Sequence, residues 1–157
     1  MALRGTGPPH FMKKNFPFII LTLILILLPS IPFAQVQTWL RVIRASNVGA
    51  GVDPALTDVH SQLGSLFNFT SYRLLRNESL SLSLNQPVSI SAREGKITIE
   101  INLLRLQKGS SELRIRVVRE KKEILNTQVR LSPGRTVLIG GPKLREGVII
   151  YALSTNF

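Results

Sequence analysis

The chain has 157 residues, no cysteine, and 20 Lys and Arg against nine acids, for a net charge of +11. Without cysteine there is no disulfide framework and no thiolate metal centre, so stability must come from a packed core. The basic excess points to anionic partners rather than to any particular fold.

The segment from Phe16 to Ala34 reads as an address. Lys13 and Lys14 precede an apolar run from Phe18 to Leu28 that is broken only by Thr22, and a polar run begins at Gln35. A basic start, an apolar middle and a small residue at the end form the layout of a secretory signal peptide. A helix of about 11 residues covers roughly 17 Å, against a hydrocarbon core of about 30 Å. Pro29 and Pro32 interrupt any longer helix, because each removes a backbone donor and clashes with the preceding turn. The expectation is a signal peptide over residues 1–34, cleaved after Ala34, with an uncleaved N-terminal anchor as the alternative. Met12-Lys13-Lys14 is itself an ordinary signal-peptide start, which suggests Met12 as the true initiator; a long basic leader is the other reading. Cysteine-free export suits a bacterial envelope, so a periplasmic or secreted location is expected. The triplets Asn68-Phe69-Thr70 and Asn77-Glu78-Ser79 then read as chance.

Residues 35–157 suit one domain. Setting aside Arg4, Lys13 and Lys14 leaves 17 basic residues against all nine acids, a net charge of +8. Val36 to Trp39 is expected to be a short flexible lead-in, and Trp39 to Ala45 a first strand. Asn47 to Gly51 breaks it. A helix is predicted over about 54–67: Asp53 is a good N-cap, Pro54 suits the first helical position, and Leu56, Val59, Leu63 and Phe67 share one face. Gly64 should bring it to an end near Leu66 or Phe67.

Strand patterns follow. Phe69 to Leu75 precedes a break at Arg76-Asn77-Glu78, and Leu80 to Leu84 alternates with period two. Val88 and Ile90 continue that alternation. After a turn at Arg93 to Lys96, Ile97, Ile99, Ile101 and Leu103 line one face. Leu113, Ile115 and Val117 alternate with Arg114 and Arg116. Ile124 to Leu131, Thr136 to Ile139 and Val148 to Leu153 are further strands. Short turns between strands argue an antiparallel meander. The fold class is α+β, mostly β: a sandwich or strongly curled sheet with one short helix near its start.

Chemistry-bearing constellations are sparse. His60 follows Leu56 by one turn at the edge of the helical stripe, where a boundary residue is the plain reading. In a helix successive residues point about 100° apart, so His60 faces away from both Asp58 and Ser61 and the three cannot relay a proton among themselves. Glu94, Glu100 and Glu112 could supply a carboxylate pair, but each stands by a turn or on an alternating polar face and reads as solvated. No catalytic residue, metal ligand or cofactor is assigned. The candidate site is basic: Arg105, Arg114, Arg116, Arg119, Lys121, Lys122 and Arg130 fall in the central hairpins. If Arg114 and Arg116 share a face with Arg130, that face is a positive patch for lipid headgroups, lipopolysaccharide phosphates or acidic polymers. Specific nucleic-acid binding is not expected, because no aromatic residues interleave with the cations.

Thr127-Gln128-Val129-Arg130-Leu131-Ser132-Pro133-Gly134-Arg135-Thr136-Val137-Leu138-Ile139-Gly140-Gly141 resembles a hairpin of the bacterial secretins, the outer-membrane channel proteins. More broadly the chain looks like a small exported bacterial protein of an uncharacterised family. Neither resemblance implies a catalytic residue. The expected function is a non-enzymatic, β-rich binding module of the envelope, directed to an anionic component or a protein complex. A structural accessory of an outer-membrane or secretion assembly is the alternative, and an enzyme with an unrecognised carboxylate site a distant third.

Overall fold

In the computed structural model, which describes residues 1–3, 5, 7, 34–92 and 96–156, the alternating segments of the sequence are strands. Met1–Pro32 and Phe33–Phe157 are separate units. The signal-peptide reading therefore falls almost entirely outside the described residues. Among the described residues no helix is long and apolar enough to cross a membrane.

Period-two alternation decides which side chains meet. In β1 (Gln35–Ser46) the even residues Val36, Leu40 and Val42 are fully buried on one face, and the odd residues Ile43 and Ala45 on the other. A strand buried on both sides must be central, and β1 is. It runs antiparallel to both β3 (Ser71–Ser83) and β9 (Gly147–Asn156). With β2 (Gly51–Val52) and β8 (Thr136–Leu144) these make a five-stranded sheet of order β2–β3–β1–β9–β8. The second sheet is a true meander, β4 (Val88–Ser91), β5 (Ile97–Gln107), β6 (Ser110–Arg119) and β7 (Lys122–Leu131).

The two sheets face each other as a sandwich. Val36, Leu40, Leu82, Tyr151 and Leu153 of the first share one core with Ile97, Ile99, Ile101, Leu113, Ile115 and Val117 of the second. Each fully buried aliphatic side chain contributes about 1.5–3 kcal/mol relative to exposure. The mostly-β class with one helix region is as read from sequence.

The other face of the five-stranded sheet carries the helix. It starts as a 3-10 segment, Pro54–Val59, and continues as α1, His60–Leu66. Asp53 caps it, Oδ1 accepting from Ala55 N at 3.0 Å, and Pro54 occupies the first position. Leu56, Val59 and Leu63 pack on Ile43, Ala45, Tyr72, Ile150 and Ala152. A helix this short is marginal alone, and this burial is what holds it. The Tyr72 hydroxyl donates to Phe67 O, fastening the end of the helix to the sheet.

Several sequence expectations need correction. Val36 to Trp39 is not a lead-in but the first part of β1, paired with Leu82 to Ser79 of β3. Phe69–Leu75 and Leu80–Leu84 are not two strands separated at Arg76-Asn77-Glu78. Ser71–Leu75 and Leu80–Ser83 belong to one strand, β3, which holds one extra residue, Leu75, opposite the Val42/Ile43 step of β1. This bulge reverses parity, so Tyr72 and Leu74 face the helix while Leu80 and Leu82 face the second sheet. The first sheet is not a meander, since the first and last long strands, β1 and β9, are neighbours in it. Thr127–Gly141 is strand, turn, strand, but not a hairpin. Its strands β7 and β8 belong to different sheets, and the Ser132–Arg135 turn carries the chain across.

Candidate functional site

The cations singled out from sequence fall into two groups. Arg114 and Arg116 of β6 point outward, opposite the fully buried Leu113, Ile115 and Val117. Arg130 of β7 is on the same outer face, aligned with Glu112 of β6, which in turn aligns with Arg105 of β5. The shared face is therefore as expected, but it is not a positive patch. Arg116 stands beside Glu100 in register and its Nη1 lies 3.8 Å from that carboxylate. Its Nε donates to Glu123, whose other oxygen accepts from Asn126 Nδ2 at 3.2 Å. Arg105 Nη1 lies 3.9 Å from Glu112. Hydrogen bonds first from Arg116 and then from Asn126 hold the Glu123 carboxyl below its ordinary range, and the same pair raises Arg116. Four arginines thus share the face with three carboxylates, and cross-strand pairing of opposite charge at Arg105 and Arg116 leaves one positive charge in excess.

Arg119 belongs elsewhere. It has the parity of Ile115 and Val117 and lies opposite Ile97, so it turns towards the space between the sheets at one end of the sandwich. There its Nη2 donates to Lys143 O of β8 at 3.0 Å, linking the two sheets. The Nε is shut off from solvent without a hydrogen-bond partner, as is the Tyr151 hydroxyl. Burial pushes the Tyr151 phenol above its usual range, and the nearby Arg119 charge only partly offsets this.

Antiparallel geometry gathers more charge at that end. In a meander, alternate turns share an end, so Lys96 at the start of β5 and the β6–β7 turn lie together, while the Lys108-Gly109 turn lies at the far end. The β8–β9 turn joins the first two across the sandwich. A shallow cleft of about 430 Å³ results, lined by Lys96, Arg119, Glu120, Lys143, Leu144 and Arg145. Lys121 and Lys122 adjoin it. The one ion pair here among the described residues joins Lys96 Nζ to Glu120 at 3.6 Å, and both side chains are exposed. Four described non-glycine residues have positive φ, and three of them are here: Lys96 at 49°, Glu120 at 48° and Lys121 at 69°. Glu120 and Lys121 form a two-residue hairpin turn that ordinarily favours Asn-Gly. Sparsely populated backbone conformations of this kind concentrate at ligand clamps.

Lys96, Lys143 and Arg145 were not among the sequence candidates. Lys96 looked like an ordinary turn residue, and Lys143 and Arg145 are far in sequence from the central hairpins. The available signal was the ends of strands: each of these turns carries basic residues, and counting hairpins would have put them together.

Other features offer less chemistry. A groove of about 450 Å³ beside β2 and β3 is lined by Asp53, Arg73 and mainly apolar or backbone groups. Asp53 is occupied there with Ala55 N and, at 3.4 Å, Leu74 N. His60 is exposed at the start of α1. Glu94 lies outside the described residues, and Glu100 and Glu112 face arginines. Among the described residues no group of three or more His, Asp or Glu is placed to hold a metal. Comparison with protein-family models, curated proteins and solved structures gave no match for this chain.

Proposed function

We propose that the chain is a non-enzymatic binding module, exported to the cell envelope, that holds an anionic partner electrostatically through the basic end of its sandwich. One observation carries this reading: charge is segregated. Lys96, Arg119, Lys121, Lys122, Lys143 and Arg145 gather at one end, where Glu120 is the acid lining the cleft among the described residues, whereas on the outer face Arg105 and Arg116 are answered by Glu112, Glu100 and Glu123. Export rests on the layout of residues 13–34. Clustered charges beside a low-dielectric wall focus the field outward and draw an anionic surface in. Exposed charges are screened beyond roughly 8 Å at physiological salt, so the attraction weakens as salt rises.

Co-sedimentation with anionic and neutral vesicles at low and high salt tests the reading. Retention should be confined to anionic vesicles at low salt, be lost on joint reversal of Lys143 and Arg145 to Glu, and survive Arg114→Glu. Equal retention on both vesicle types, or none at low salt, would leave the charge as a solubility feature.

A further inference from the structure

We infer that the cleft between the β6–β7 and β8–β9 turns is a discrete site for a phosphomonoester group. The inference rests on the anionic-partner reading and narrows it from a charged surface to one ligand chemistry.

The cations converge from separate parts of the chain. Lys96 opens β5, Arg119 closes β6, and Lys143 and Arg145 flank the end of β8, all lining one small cleft with, among the described residues, a single carboxylate, Glu120. Arg119 is held in place by its bond to Lys143 O and makes no ion pair among the described residues. A carboxylate ligand is planar and singly charged, and one guanidinium fork satisfies it. Several cations arranged around an open floor call for more charge and more acceptors. A phosphomonoester carries about −1.5 to −2 at neutral pH and three strong acceptor oxygens. A phosphodiester has one negative charge and fewer free oxygens, so it engages fewer of these donors.

Glu120 gives the site a signature of its own. Its carboxylate is the one acid lining the cleft among the described residues and holds Lys96 at 3.6 Å through an exposed pair. Exposed pairs of this kind are weak, so an entering phosphate displaces it readily. Removing that carboxylate frees Lys96 and removes repulsion of the ligand. Glu120→Gln should therefore tighten binding, which a merely structural role for Glu120 would not do.

The test uses the full-length chain, with glycerol 3-phosphate as the soluble probe and backbone amide NMR shifts as the readout. Saturable shifts should be confined to Lys96, Arg119 to Lys121 and Lys143 to Glu146. Joint replacement of Lys143 and Arg145 by Ala removes two charge-assisted donors and should weaken binding about tenfold or more. In parallel, vesicles containing phosphatidic acid, a phosphomonoester, are compared with phosphatidylglycerol vesicles, a phosphodiester, at equal surface charge. Any contribution of the apolar leader is common to both. Preference for phosphatidic acid identifies a lipid headgroup as the source; saturable shifts without that preference identify a soluble phosphomonoester. Either result supports the site. Absence of saturable shifts, shifts spread over Arg105, Arg114 and Arg130, or weaker binding by Glu120→Gln overturns it. Charge-dependent retention on phosphatidylglycerol vesicles would then show that the broader reading survives, and its absence that both fail.

Discussion

Arg41 of β1 and Asp58 of the 3-10 segment are joined by two hydrogen bonds of 2.7 Å each, Nη1 to Oδ1 and Nη2 to Oδ2. The fork clamps the helix onto the outer face of the sheet beside the buried stripe. Hydrogen bonding to Arg41, the largest influence, holds the Asp58 carboxyl below its ordinary value, against a smaller opposing effect of burial. A folded carboxyl pKa below the unfolded one contributes stability that is complete above the unfolded value and is lost as pH falls through the folded value. The Asp58 side chain is 61% exposed, so solvent screening limits Asp58→Asn to a cost of at most about 1 kcal/mol. Urea unfolding of wild type and variant should differ at neutral pH and converge below about pH 4. A difference that persists unchanged into acid would assign the effect to packing instead.

Leu63 is fully buried beneath the helix. Leu63→Ala should cost about 2–5 kcal/mol through lost transfer energy and the cavity left behind. His60, exposed three residues earlier, should tolerate Ala within about 0.5 kcal/mol. Chemical denaturation of both variants separates a packing role from a surface one.

The fold was legible in sequence where contacts are local. Ile97 to Leu103 and Leu113 to Val117 alternate cleanly because each strand has one buried and one solvated face, and their turns are short. Asp53 and Pro54 announced the helix because capping is a matter of neighbouring residues. β3 was misread because the Leu75 bulge shifts parity next to the polar run Arg76-Asn77-Glu78, so one strand looked like two. The β1–β9 pairing left no local mark, since it joins residues about a hundred positions apart. At the candidate site, parity within β6 separates Arg119 from Arg114 and Arg116, but it misplaces Arg105, which reaches the outer face only because of the bulge between Leu103 and Arg105. The carboxylates that neutralise the outer face were invisible, because Glu100 and Glu123 meet Arg116 only through strand register.

Gly147 and Gly64 should respond oppositely to Ala. A Cβ on Gly147 would fall 2.0 Å from Ala45 O, and its φ of 144° is unfavourable for any side chain. The clash is with backbone of the central strand and cannot be relieved by a rotamer change. Gly147→Ala should cost more than about 4 kcal/mol or prevent folding. Gly64 lies within α1 with nothing within 4 Å of its would-be Cβ. Gly64→Ala should stabilise by up to about 1 kcal/mol from helix propensity. Thermal melts of the two variants should move in opposite directions.

Lys121, with φ of 69°, occupies a conformation that suits glycine. The steric cost for an L-residue there is about 1–2 kcal/mol, partly offset in a glycine variant by greater unfolded-state entropy. Lys121→Gly should raise the urea midpoint while reducing retention on anionic vesicles, a trade of binding charge against backbone strain. Stabilisation without loss of retention would remove Lys121 from the binding surface.

Arg116→Glu separates the two groups of cations most sharply. Arg116 lies between Glu100 and Glu123, and both carboxylates depend on it for compensation. Reversal places a third negative charge against those two. Like charges at such distances raise carboxyl pKa values above their unfolded ones. The sign of linkage is then inverted relative to Asp58: a raised carboxyl pKa costs stability at neutral pH and returns it as acid protonates the group. The variant should unfold at lower urea than wild type near pH 7 and recover towards about pH 4, and added salt should narrow the gap. Arg114 aligns with Asn102 and Gln128, neither of them charged, so Arg114→Glu should leave the urea midpoint nearly unchanged. If the outer face serves chiefly as a lattice of compensated charge, retention of Arg114→Glu on anionic vesicles matches wild type. Loss of retention in that variant, with stability intact, would move the binding surface from the end cleft back to the outer face of the second sheet.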